Sequence, residues 1–263
     1  MLISLRILFL FFLATPLLAQ EDFKLAAAGK TVVFSEIDHL TIVGTSGSEL
    51  IVEGSGSATD RDDRAAGLRQ ISASGLKDNT GTGLNVTESG GTIRVAQVGG
   101  DGEKVTVRVP NSASVTVEQS THRGGDLVVR DFSGSLDVSM MYHKAELENV
   151  TGPLAVNTVY DDIVATWDAA PTEEVRLHST YSDVDITLPA TTKADVRLST
   201  GYGSMYTDFD IQIKSNTVAG NEENPDYDRP SEVNTSKLSG TINGGGTLIT
   251  LTATYDNIYL RKQ

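Results

Sequence analysis

Apolar residues recur along the second half of the chain at fixed offsets around a tyrosine. Leu136, Val138, Tyr142, Ala145 and Leu147 set the pattern, which returns at Leu154, Val156, Tyr160, Ile163 and Ala165. It returns again at Val175, Leu177, Tyr181, Val184 and Ile186, then at Val196, Leu198, Tyr202, Met205 and Thr207, and finally at Ile249, Leu251, Tyr255, Ile258 and Leu260. The template is apolar-x-apolar-x-x-x-Tyr-x-x-apolar-x-apolar. Each apolar pair alternates with period two, which predicts a short strand with one buried face. Gly, Asp, Asn and Ser between the pairs supply turn conformations. Parity changes between offset 6 and offset 9, as a corner between two strands requires.

Successive tyrosines at 142, 160, 181 and 202 stand 18, 21 and 21 residues apart. A near-constant period of about 20 residues suits one coil of a solenoid, with equivalent residues about 4.8 Å apart on the next coil. The expected fold is therefore all-β, a right-handed parallel β-helix in which Tyr142, Tyr160, Tyr181 and Tyr202, with Tyr255, form a structural ladder. A simple hairpin is the alternative for any one copy. Offset 4 holds Met140, Thr158, Ser179, Thr200 and Ala253, small or hydroxyl residues in the main, suited to a narrow interior where hydroxyls bond backbone groups.

A copy without tyrosine fits at Leu84, Val86, Gly90, Ile93 and Val95, and looser copies start at Leu40/Ile42 and Val115/Val117. Residues 58–71 read as a short helical excursion capped at Thr59 or Asp60. The repeat breaks between Tyr202 and Tyr255. The segment near 206–245, with Asn221-Glu-Glu-Asn-Pro-Asp-Tyr-Asp-Arg-Pro230 at its centre, reads as an acidic loop insert. About twelve coils would make a rod of roughly 50–60 Å.

The repeats and the ending Asn243-Gly-Gly-Gly-Thr-Leu-Ile-Thr-Leu-Thr-Ala-Thr-Tyr-Asp-Asn-Ile-Tyr-Leu260 resemble the putative-adhesin family of β-strand-repeat proteins, common in Bacteroidota. That family carries a Tyr-Gly-Asp/Asn-Ile unit. Here it stands as Tyr160-Asp-Asp-Ile163, Tyr181-Ser-Asp-Val184, Tyr202-Gly-Ser-Met205 and Tyr255-Asp-Asn-Ile258, and only Tyr202-Gly203 keeps the glycine. The resemblance covers roughly residues 30–263. It implies a β-solenoid and an envelope or surface location, and it brings no catalytic residues.

Composition adds an address. Residues 1–19 combine Arg6, an apolar run from Ile7 to Leu13, Pro16 and a small residue at Ala19. That is a secretory signal peptide, with cleavage expected after Ala19 and a single domain over 20–263. No later segment reads as a transmembrane helix. The product is expected to be exported, to the periplasm, the cell surface or the medium. Lys and Arg number 21 against 35 Asp and Glu, a net charge of −14, or −15 once Arg6 is removed. Such a charge disfavours nucleic acid as partner. The absence of Cys excludes disulfides, thiol nucleophiles and Cys-ligated metals.

Candidate chemistry is sparse. Two residues after the ladder tyrosines come Lys144, Asp162, Asp183, Ser204 and Asn257, with Asp161 and Asp185 nearby. Stacked carboxylates could hold Ca²⁺, which takes six to eight oxygens, or act as a glycosidase pair. The same residue types also serve turns, and Lys144 could pair with Asp162. No other cofactor is expected. Trp167, the lone Trp, is a candidate sugar-stacking or coil-edge packing residue. The histidines form no metal pattern, and no Gly-x-Ser-x-Gly elbow is present.

These readings favour an exported, non-enzymatic, adhesin-like surface for glycan, matrix or an envelope protein. The alternatives are a β-helix polysaccharide lyase or hydrolase using the acidic turn residues, and an envelope assembly or sensing component.

Overall fold

A computed structural model describes residues 22–53, 64, 68, 71–73, 75–99, 104–214 and 236–263. The expected signal peptide at 1–19 lies outside the described residues, as do the acidic centre of the expected insert at 215–235 and nearly all of the expected helical excursion at 58–71. Every named element among the described residues is a strand.

The first strands are β1 (Phe23–Ala26), β2 (Thr31–Ser35), β3 (Leu40–Thr45), β4 (Glu49–Val52), β5 (Leu84–Ser89), β6 (Thr92–Gln97) and β7 (Val105–Pro110). The middle of the chain gives β8 (Ser114–Gln119), β9 (Leu127–Arg130), β10 (Leu136–Met140), β11 (Ala145–Glu148), β12 (Leu154–Thr158), β13 (Ile163–Thr166), β14 (Val175–Ser179) and β15 (Val184–Leu188). The last are β16 (Ala194–Thr200), β17 (Met205–Thr207), β18 (Ile211–Ile213), β19 (Ser236–Ile242), β20 (Thr247–Ala253) and β21 (Ile258–Lys262).

These strands form two large mixed sheets, one of ten strands and one of eleven. From β8 to β17 consecutive strands alternate between the sheets, so each template copy contributes one strand to each. Within a sheet the copies pair in parallel and in register. Leu136 lies opposite Leu154, Leu154 opposite Val175, and Val175 opposite Ile249. In the other sheet Ala145, Ile163, Val184 and Ile258 run in the same way. The period-two alternation is the cause: each strand turns its apolar residues to the facing sheet, and these residues make one continuous buried cluster.

Several expectations need correction. A uniformly parallel coil is not what forms, because β1, β4, β5, β18 and β19 all pair antiparallel at the two ends of the stack. Nor do the coils follow chain order. β20 and β21 sit between the strands of 175–188 and those of 194–207, and β2 and β3 sit between β6/β7 and β8/β9. Each end of the chain thus fills a layer inside the stack. Among the described residues the parallel layers are then β6/β7, β2/β3, β8/β9, β10/β11, β12/β13, β14/β15, β20/β21 and β16/β17, eight where about twelve were expected of the whole chain. Finally, the flanks of the expected loop insert are strands: β18 and β19 extend the larger sheet beyond β16.

The tyrosine-free copy is a hairpin. Leu84 lies opposite Gln97 and Val86 opposite Val95, with Ser89 and Thr92 closing the turn. Gly90 and Gly91 adopt φ of 59° and 80°. Two successive residues at positive φ make the two-residue turn that matches the twist of a hairpin, and glycine takes both positions without strain.

Candidate functional site

The template places its tyrosine in the corner between the two sheets, outside the core. The parallel register then stacks these side chains along the molecule. Ring centroids are 5.1 Å apart for Tyr142 and Tyr160, 5.2 Å for Tyr160 and Tyr181, 4.8 Å for Tyr181 and Tyr255, and 4.9 Å for Tyr255 and Tyr202. Interplanar angles run from 1° to 15°. The interposed layer puts Tyr255 between Tyr181 and Tyr202, so the ladder is continuous although its sequence order is not. His122 meets Tyr142 edge-on at 6.4 Å and closes that end. The rings are 41–63% exposed, Tyr202 the most. Among the described residues none of the five phenol hydroxyls has a hydrogen-bond partner.

Beside the ladder run the turn carboxylates. Asp162 accepts the backbone N–H of Asp183 at 3.1 Å, Asp183 accepts that of Asn257 at 2.9 Å, and Asn257 accepts that of Ser204 at 3.0 Å. Asp126 likewise accepts the N–H of Lys144 at 3.2 Å. Asp126, Asp162, Asp183 and Asn257 each therefore cap the corner of the next layer, which explains why Asp and Asn recur in this column. Thr158 and Thr200 serve the same corners from inside, donating to the carbonyls of Asp161 and Asp256 at 2.7 and 3.1 Å.

Crowding tunes the acids. Burial pushes the Asp162 carboxyl above its ordinary value, and the charges of Asp161 and Asp183 add to this, against the amide of Asp183 and the charge of Lys144. Asp256 is pushed up by burial, then by a hydrogen bond shared with Asp183 and by its charge. Lys144, just before β11, pairs with Glu146 on that strand. Asp185 lies apart on the outer face of the ten-stranded sheet, where Arg261 grips it through two bonds of 2.7 and 2.8 Å. Among the described residues no group of three or more His, Asp or Glu side chains is arranged to hold a metal ion.

Trp167 does not join this site. It is buried, with its indole N–H donating to the Val150 carbonyl at 2.6 Å. That answers the choice between sugar stacking and packing in favour of packing.

No protein-family model matches the chain, and no curated protein matches it. A solved structure of a putative cell adhesion protein from Clostridium sporogenes is similar over 92% of this chain and 99% of its own, with 9% identity and a TM-score of 0.41. A likeness that remote carries no argument about function.

One feature of the site was missed in the sequence. Tyr206 and Tyr259 stack at 5.2 Å on the outer face of the ten-stranded sheet, and Arg261 lies 5.0 Å over the Tyr259 ring. A groove of about 430 Å³ runs beside them, lined by Tyr206, Asp208, Tyr259 and Lys262 among others. The signal was available: both tyrosines occupy offset 10 of the template in its last two copies.

Proposed function

We propose that the mature chain is an exported, non-enzymatic β-solenoid that presents its tyrosine-lined corner as an adhesin-like ligand surface. The observation that carries this reading is the row of five half-exposed rings with unpartnered hydroxyls, held along a continuous core. The parallel stack of two-strand layers supports the solenoid, with antiparallel strands closing each end. The N-terminal charge, apolar run and small residue support export. The turn carboxylates support a non-catalytic role, since Asp162 and Asp183 already accept neighbouring amides. The partner classes are glycan, matrix or another envelope protein, with no cofactor.

The test immobilises residues 20–263 and presents a glycan array, matrix proteins and an envelope extract. Retention of a ligand that weakens in Tyr160→Ala and Tyr181→Ala is the expected result. Turnover of a polysaccharide without retention, lost in Asp162→Asn or Asp183→Asn, overturns it.

A further inference from the structure

We propose that the tyrosine ladder is a lengthwise binding site for an uncharged, linear β-linked hexopyranose chain, one sugar to each ring. The inference rests on the ligand-surface reading above and names the ligand class of that same surface.

Periodicity is the first argument. The rings repeat every 4.8–5.2 Å over five positions, and four such steps span about 20 Å. A ligand lying along the ladder makes equivalent contacts only if it repeats at the same step. An extended polypeptide advances about 3.3–3.4 Å per residue and drifts out of register within two rings. An α-helix has a pitch of about 5.4 Å, close to the step, but it buries an apolar stripe. This strip offers free phenols beside carboxylates, a poor bed for that stripe. An equatorially linked hexopyranose ribbon advances by nearly one ring spacing per sugar and carries hydroxyls along its edges.

Chemistry is the second argument. The rings stack on one another, so their faces are mutually covered and their exposed parts include phenol hydroxyls that both donate and accept. Sugar hydroxyls need such partners. Along the chain Tyr160 stands between Val159 and Asp161, Tyr181 between Thr180 and Ser182, and Tyr255 between Thr254 and Asp256, all partly or fully exposed, so carboxylates and hydroxyls accompany the rings. Among the described residues only Tyr202 ends the ladder without another ring over its outer face, and that ring is 63% exposed. A terminal sugar can stack there, while His122 occupies the corresponding place at Tyr142.

Charge is the third. Asp161, Asp162, Asp183 and Asp256 lie in the two columns next to the rings, and they repel uronate or sulfated chains. They give polycations little purchase, because Asp161, Asp162 and Asp183 accept backbone amides and Asp256 hydrogen-bonds Asp183. The unpartnered groups of the ladder itself, its phenol hydroxyls, are uncharged.

The test is calorimetric titration of residues 20–263 with β-1,4-linked gluco-oligosaccharides of two to six sugars. α-1,4-linked gluco-oligosaccharides, oligogalacturonates and glucosamine oligomers serve as controls. Affinity is expected to rise with each sugar up to five and then level off. Tyr181→Phe keeps the ring stack, so the fold persists, and removes one hydroxyl; it should weaken binding by about three- to tenfold. The double variant Tyr160→Phe/Tyr181→Phe should weaken it further. Unchanged binding in the Phe variants, no dependence on chain length, or preference for a charged or α-linked chain overturns the inference. Retention of a protein ligand without any oligosaccharide binding overturns the inference and leaves the ligand-surface reading standing. Absence of every ligand in the array overturns both.

Discussion

In residues 84–95, Leu84 and Val86 are followed by Ile93 and Val95; in residues 154–165, Leu154 and Val156 are followed by Ile163 and Ala165 at the same offsets. The first stretch doubles back as a hairpin within one sheet, while the second turns a corner into the other sheet. Their apolar positions are equivalent, so burial periodicity does not separate them. The intervening residues do. Gly90 and Gly91 take positive φ and close a two-residue turn. Val159, Tyr160, Asp161 and Asp162 instead form a corner held by side chains, with Thr158 donating inward and Asp162 capping the next layer. Offset 4 shows the same contrast. Thr158 is buried there, whereas Glu88 is exposed and pairs with Lys30. A repeated apolar spacing fixes which faces are buried, and turn chemistry decides where the chain goes next.

Exchanging residues between the two stretches should break this contrast most severely at offset 4. Thr158→Glu places a carboxylate without a partner inside the corner and should cost about 3–5 kcal/mol. The reverse change, Glu88→Thr, removes a surface pair and should cost no more than about 1 kcal/mol. Urea denaturation of both variants measures the difference.

At the hairpin, Gly91→Val forces a β-branched residue to φ of 80° and should cost about 1–3 kcal/mol. The loss should be local. Hydrogen exchange should quicken in 84–97 and stay unchanged in 154–166.

Within the ladder, Tyr181→Ala removes two stacking contacts and should cost about 1–2 kcal/mol, against roughly half that for Tyr202→Ala, whose ring stacks on Tyr255 alone among the described residues. A double-mutant cycle on Tyr160 and Tyr181 isolates the pairwise part.

The smallest effects are electrostatic and opposite in sign. Asp162 has a folded value raised above its ordinary 3.8. Its contribution is therefore fully present below 3.8 and lost as pH rises through the raised value. Asp162→Asn keeps the capping oxygen and should match or exceed the parent in stability at neutral pH, with the advantage fading in acid. Glu36 behaves the other way. Burial opposes the shift, but the hydroxyls and amides of Ser120 and Thr121 hold its carboxyl below the ordinary 4.5. Glu36→Gln should lose stability at neutral pH and converge on the parent as pH falls through that lowered value. Thermal melts across the acid range check both.

Much of this was legible because period-two alternation and an invariant corner offset report directly on burial and stacking. The strands from Leu136 to Ile186, the tyrosine ladder and the clustering of Asp162 with Asp183 all follow from that pattern. The order of layers did not. Ile249 and Leu251 fit the template as well as Val196 and Leu198 do, and nothing in apolar spacing says which pair lies next to Val175. That choice depends on the chain between them, including the long β16–β19 antiparallel pairing that occupies the far side of β16. The hairpin at 84–97 hides for a related reason: its apolar residues fit the template, and only glycine in place of tyrosine at offset 6 sets it apart. Packing was one of two roles open to Trp167, and apolar spacing alone could not choose between them, since the carbonyl that takes its indole N–H, on Val150, lies in another layer.

The central claim is that the ladder is built out of sequence order, with the C-terminal layer inserted beside Tyr181. The parent chain contains no Cys, so paired cysteines test this directly. Thr250 lies opposite both Arg176 and Arg197, which flank it on either side. Neighbouring strands are about 4.8 Å apart, within reach of a disulfide, whereas strands two apart are beyond it. Under mild oxidation Arg176→Cys/Thr250→Cys should cross-link and Arg176→Cys/Arg197→Cys should not, as read by peptide mass spectrometry. Efficient linkage of positions 176 and 197, with none between 176 and 250, would show sequential coils and contradict the account.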